Sequence, residues 1–132
     1  MSIVNLAGLE ISESTLKYFA SVDSSFIYSI AEGLVAKFNQ NTVTCNTTFS
    51  DVYNKETLNN ATYPKSLYST PFYFKGAKSI NSYKNTISHC NHADIGGVFR
   101  VLDTDLFVEE SSSFRENSAV LGGVFSFSNT TV

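Results

Sequence analysis

The sequence predicts an all-β chain, and three observations carry that class. First, "NHADIGGVFRV" at Asn91–Val101 aligns without a gap with "NSAVLGGVFSF" at Asn117–Phe127. The offset is 26 residues throughout, matching Asn91 with Asn117, Ala93 with Ala119, Gly96-Gly97 with Gly122-Gly123, and Val98-Phe99 with Val124-Phe125. Second, short runs rich in β-branched and aromatic residues alternate with polar bends. They are "TVTCNTTF" (42–49), "PFYF" (71–74), "GVFRV" (97–101), "DLFV" (105–108) and "GVFSF" (123–127). Third, 42% of the 132 residues are hydrophobic, enough for a core, while 16% are charged, below the usual quarter. A repeat of this length without a helix excludes a propeller blade, which needs about 40–50 residues, and lacks the leucine spacing of a leucine-rich repeat. It fits one coil of a short right-handed parallel β-helix with coils of 25–26 residues. Each strand then pairs with its equivalent one coil on, about 4.8 Å away.

The elements follow in chain order. "AGLEISES" (7–14) and "EGLVAKFN" (32–39) share Gly-Leu at an offset of 25 and read as weaker copies. In "SSFIYSIAEGLVAKF" (24–38), Ile27, Ile30 and Leu34 are spaced as on a helix face, so helix and strand both stay open there. Gly33 and Gly97 are 64 residues apart, which is not a multiple of 26, so an insertion interrupts the series. The turn-rich stretch 51–70 is the expected inserted loop. The whole reads as one domain, 1–132, or a fragment of one. In each Gly-Gly pair, glycine supplies a positive φ or a close approach of stacked backbones. Val98 over Val124 and Phe99 over Phe125 are expected as ladders, one facing in and one out. Asn91 over Asn117 is expected as an amide ladder, and Ala93 over Ala119 as a narrow corner. The alternative is an antiparallel β-sandwich with Gly-Gly hairpin turns. It explains one pair but not its recurrence in register.

"FRENSAVLGGVF" resembles the polymorphic outer membrane protein repeat, with Phe-x-x-Asn followed by Gly-Gly and a branched residue. Its elements here are Phe114, Asn117, Ala119, Gly122, Gly123 and Val124. Asn91, Ala93, Gly96 and Gly97 repeat the second half. Upstream, Ser88 stands where Phe belongs, and Ile87 takes the inward place if the register slips by one. The resemblance covers 81–132 and implies the pectin-lyase-like β-helix superfamily, found in long surface and adhesin-like proteins. It specifies fold far more than function.

Charge and motifs exclude several functions. The net charge is -3 and Lys is scattered, so no basic patch for nucleic acid forms. No run approaches 18 apolar residues, so no transmembrane helix is expected. The N-terminus lacks the pattern of a signal peptide. A cytoplasmic chain, or an internal piece of a longer surface or secreted protein, both fit. Asn46, Asn60 and Asn129 open Asn-x-Ser/Thr triplets, a weak sign for secretion in so Asn- and Thr-rich a chain. Cys45 and Cys90 read as two thiols, at least one buried, with a single bridge as the alternative. His89 and His92 flank Cys90, but a metal site needs ligands from elsewhere, and adjacent residues rarely meet as nucleophile and base. No metal or cofactor is expected.

Parallel β-helices also host enzymes that cleave acidic polysaccharides, which need convergent carboxylates. Asp103, Asp105, Glu109 and Glu110, with Arg100 nearby, are the candidates. The positions 26 residues away are Ala77, Ser79, Asn129 and Thr131, so the cluster does not extend across coils. Tyr53, Tyr63, Tyr68, Phe72 and Tyr73 concentrate in and beside the insertion, as a partner-binding patch or as anchors for the loop. The expected function is a non-catalytic structural or adhesive module within a larger protein or complex. A protein partner would meet it through the terminal coils or the aromatic-rich loop. A carbohydrate-active enzyme or carbohydrate binder on the same fold is the alternative.

Overall fold

In the computed structural model, which describes residues 2–3, 7–18, 25–45, 70–90 and 93–132, every strand pairing is parallel. The first rung holds β1 (Ser2–Ile3), β2 (Gly8–Ser12) and β3 (Thr15–Tyr18). The second holds β4 (Ile27–Ser29), β5 (Val35–Asn39) and β6 (Thr42–Cys45). The third holds β7 (Phe72–Lys75), β8 (Ser79–Tyr83), β9 (Thr86–Ser88) and β10 (Ala93–Ile95). The fourth holds β11 (Phe99–Leu102), β12 (Leu106–Glu110), β13 (Ser113–Arg115) and β14 (Ala119–Leu121), and β15 (Phe125–Ser128) opens a fifth. The sheets run β1-β4-β7-β11-β15, β2-β5-β8-β12, β3-β6-β9-β13 and β10-β14. The chain is a right-handed parallel β-helix, and the parallel ladders exclude the sandwich.

Alternation along each strand sends one set of side chains into the bore. Under the first sheet this builds the column Ile27, Phe72, Phe99, Phe125. Its rings stack, with centroids 4.9 Å apart for Phe72–Phe99 and 5.8 Å for Phe99–Phe125. Leu9, Ala36, Ile80 and Phe107 line the second sheet, and Leu16, Val43, Ile87 and Phe114 the third. Burying one such large apolar side chain contributes about 1.5–3 kcal/mol.

Rung spacing corrects the simple 26-residue count. Ala93 pairs with Ala119 and Phe99 with Phe125, 26 apart, but Phe72 pairs with Phe99 and Ile87 with Phe114, 27 apart. Between the second and third rungs the step is 45 residues at Ile27–Phe72 and 44 at Val35–Ser79. The loop expected at 51–70 falls in this long step and lies outside the described residues, apart from Thr70. The Gly-Leu match is not the structural register. Gly8 pairs with Val35, while the Gly33 N–H donates to the Gly76 carbonyl at 2.9 Å. The helix-like spacing at 24–38 resolves into β4 and β5, because Ile27 and Leu34 each face the bore from a different side. Val98 and Phe99 do not split in and out. Both are buried, since Val98 sits in the bend before β11.

The two-thiol reading is overturned. Cys45 and Cys90 form a disulfide, with Cα atoms 4.9 Å apart. Thr44 pairs with Ser88 in the third sheet, a step of 44, so the two cysteines meet at the corner that ends β6 and β9, with Cys90 one residue past the register position of Cys45. The uneven step hides this relation from a search at 26. The bridge closes a loop that contains the whole long step, so its effect on the unfolded chain is large. Reduction, or the Cys45→Ser/Cys90→Ser double variant, is expected to lower stability by about 2–4 kcal/mol in urea titrations. An unchanged urea midpoint would contradict the bridge.

Candidate functional site

The outer faces and the last rung are the places where chemistry can be presented. On the outside of the first sheet, Tyr28, Tyr73 and Arg100 occupy one column over three rungs. The two Tyr rings stack at 4.8 Å, and the Arg100 guanidinium lies over the Tyr73 ring, 5.8 Å from its centroid. Phe72 points the other way, into the core. Tyr53, Tyr63 and Tyr68 lie outside the described residues. On the outside of the third sheet, Thr15, Thr42, Thr86 and Ser113 form a hydroxyl column.

The corners hold the repeat residues. Gly96 and Gly122 have φ of 71° and 64° and make the bend. Gly97 acts differently: a Cβ there would run into the Gly123 carbonyl of the next rung. Gly123 itself is open, its nearest neighbour being the Asn117 carbonyl at 4.0 Å. Ala119 lies beside Ala93. Phe114 pairs with Ile87 and packs edge-on against Phe125, 5.1 Å between centroids. Asn117 accepts from the Cys90 N–H at 2.9 Å and donates to the Ile87 carbonyl at 3.1 Å. Asn91 and His92 lie outside the described residues.

A side-chain ladder stands at a different corner, between the second and third sheets. The Asn41 backbone N–H and Nδ2 both donate to Asn85 Oδ1, at 3.0 and 3.1 Å. Asn85 Nδ2 donates to the Phe38 carbonyl at 2.9 Å and to Ser82 Oγ at 2.8 Å. Ser14 N–H donates to Asn41 Oδ1, and Asn85 N–H to Ser112 Oγ, so the ladder spans four rungs. Each member follows a left-handed residue, namely Glu13, Gln40, Lys84 or Ser111, with φ between 48° and 58°. The signal was present as "QNTVTC" (40–45) against "KNTISHC" (84–90), but at an offset of 44.

The carboxylates do not converge. Asp103 sits at a left-handed corner and accepts from Asn129 Nδ2 at 3.1 Å. The 27-residue register puts Gly76 and Lys78, not Ala77 and Ser79, behind Asp103 and Asp105. Glu110 is exposed beside Lys84, whose ammonium is held above its ordinary value by the Tyr83 hydroxyl and, more weakly, by Glu110. Glu109 turns the other way, and both its carboxylate oxygens are buried without a hydrogen-bond partner among the described residues. Arg100 is engaged with Tyr73 rather than with these acids. His89 Nδ1 meets Glu116 Oε2 at 2.7 Å, joining two left-handed corners of successive rungs at the surface. Cys90 is sealed in the disulfide and offers neither nucleophile nor thiolate ligand. Among the described residues no group of three His, Cys, Asp or Glu is placed to hold a metal ion, and no helix is long and apolar enough to cross a membrane. Comparison of the chain with protein-family models, curated proteins and solved structures gives no match.

Proposed function

We propose that the chain is a structural or adhesive β-helix module that works within a larger protein or assembly and meets its partner through a terminal rung. The observation that carries this reading is the last rung. Among the described residues β12, β13, β14 and β15 are edge strands of their sheets, and such an edge pairs with a further strand, of the same chain or of another. Of the five exposed large apolar side chains among the described residues, Leu106, Val108, Leu121 and Val132 lie on the fourth and fifth rungs. Membership of the polymorphic outer membrane protein repeat family, suggested by Phe114, Asn117 and Gly122-Gly123, agrees with this role. The disulfide supports an oxidising compartment such as a cell surface. Cross-linking and native mass measurement on protein from its source test the proposal. A partner cross-linked to 106–132 is expected, and a lone folded monomer at cellular concentration would sink it.

The Tyr28–Tyr73–Arg100 column favours a second reading, a carbohydrate-binding face on the same fold. Aromatic rings beside a cation suit an anionic sugar chain. On a panel of acidic polysaccharides, this reading expects binding that Tyr73→Ala weakens about tenfold, the loss of one ring contact. The first reading expects no binding. Hydrolysis or elimination of any of them would overturn the non-catalytic part of both.

A further inference from the structure

We infer that Asn129 is the acceptor of an N-linked oligosaccharide, presented on the outer corner that follows β15. The inference goes beyond the module reading and does not rest on it. Asn129-Thr130-Thr131 has the Asn-x-Thr pattern that N-glycosylation requires. The triplet alone is a weak sign in this chain, and the corner geometry adds what the sequence lacks. Asn129 takes the left-handed conformation, with φ of 49°. Asn129 and Thr131 are both exposed there. Thr130 between them turns to the rung below, where its Oγ1 accepts from the Thr104 N–H at 3.4 Å. The amide to be modified lies at the surface, with Nδ2 donating to Asp103 Oδ1 at 3.1 Å.

This exposure belongs to the outer face and not to the end of the helix. Asp103 and Asp105 hold the same two places one rung in, and Asp103 has the same left-handed φ, 48°. Both are exposed although Asn129 and Thr131 stack on them. A further rung would therefore leave Asn129 accessible. Asn, like Asp, suits a left-handed corner whatever its modification. Thr131 has no such reason: its place is held by Lys78 and Asp105 on the two rungs before. What it gives the stack is its backbone carbonyl, which accepts from the Phe107 N–H at 2.8 Å. The buried Cys45–Cys90 bridge supplies the second line, because it forms in the same oxidising compartment in which such sugars are transferred. In the transfer, Asn129 Nδ2 attacks the anomeric carbon of a polyprenyl-diphosphate-linked oligosaccharide. A C–N bond forms, the C–O bond to the diphosphate breaks, the lipid diphosphate leaves and Nδ2 gives up one proton. One N–H remains on Nδ2 for Asp103.

The test uses the full chain secreted from eukaryotic cells behind a cleavable signal sequence. Peptide N-glycosidase digestion in heavy-oxygen water, followed by peptide mass mapping, reads each site. Asn129 is expected to be recovered as labelled Asp. Thr131→Ala is expected to abolish that label, and Thr131→Ser to keep it at lower occupancy. After enzymatic removal of the sugar, the Thr131→Ala and native chains are expected to melt at the same temperature, so the loss is not a folding defect. Secreted, disulfide-bonded chain with unmodified Asn129 overturns the site, whether or not Asn46 or Asn60 carries sugar. A label at Asn129 that survives Thr131→Ala overturns it too, since it would then come from deamidation.

Discussion

Asn85→Ala is expected to lower stability by about 4 kcal/mol, more than any other polar-to-alanine change among the described residues. Asn85 is 2% exposed and holds four hydrogen bonds across two rungs. Alanine would take these partners from the Asn41 N–H and the Phe38 carbonyl, while Asn41 Nδ2 keeps its bond to the Ile11 carbonyl at 2.8 Å, and each buried group left unpaired costs about 1–3 kcal/mol. The ladder is continuous, so the loss is also expected to spread to Asn41 and its neighbours as faster amide exchange at 38–42. Asn117→Ala removes two hydrogen bonds at a less buried corner and is expected to cost about half as much. Urea titration of the two variants side by side gives the comparison. An Asn85→Ala cost below about 1 kcal/mol would show that the ladder is not holding the corner.

Gly97→Ala and Gly123→Ala are expected to differ sharply although the two glycines are the same residue in two copies of one repeat. Neither has a positive φ, so backbone conformation does not decide the matter. At Gly97 a methyl group collides with the Gly123 carbonyl, and a backbone atom in a paired corner has nowhere to go. The expected cost is about 3 kcal/mol or more, or loss of the fourth rung's packing. At Gly123 the methyl group meets nothing nearer than 4.0 Å. There the change is expected to be neutral or to stabilise by up to about 1 kcal/mol through the unfolded chain. Thermal melts of both variants decide it, and equal effects would mean that the rungs do not stack as described. If a strand docks on the last rung, Gly123→Ala is also expected to weaken that docking, because Gly123 would then stand where Gly97 stands now.

Much of the fold was legible because a solenoid repeats its physics. The recurring Asn-x-Ala-x-x-Gly-Gly-Val-Phe named the coil, its length and one of its corners. The register within the fourth rung was legible too, since Ile87 falls under Phe114 after a slip of one residue. What escaped lay across the long step. Asn41 and Asn85, and Cys45 and Cys90, are 44 and 45 residues apart, so a search tuned to 26 passes over them. The outward column Tyr28–Tyr73–Arg100 escaped for the same reason, its first two members being 45 residues apart. The four carboxylates looked alike in sequence, because their nearness along the chain says nothing of which side of the strand each one faces.

By itself the sequence determined the class, the parallel winding and the glycine corners, because these depend on local backbone geometry repeated at a near-constant spacing. Only the tertiary structure decided which residues stack across a rung step of uneven length. That choice brought two cysteines into a bridge and two asparagines into a buried ladder. It also separated the roles of the paired glycines: Gly96 bends the chain, and Gly97 makes room for the next rung. Last, it turned Glu109 inward and left Glu110 outside. Alternation in a strand depends on register, and register is set by the neighbours.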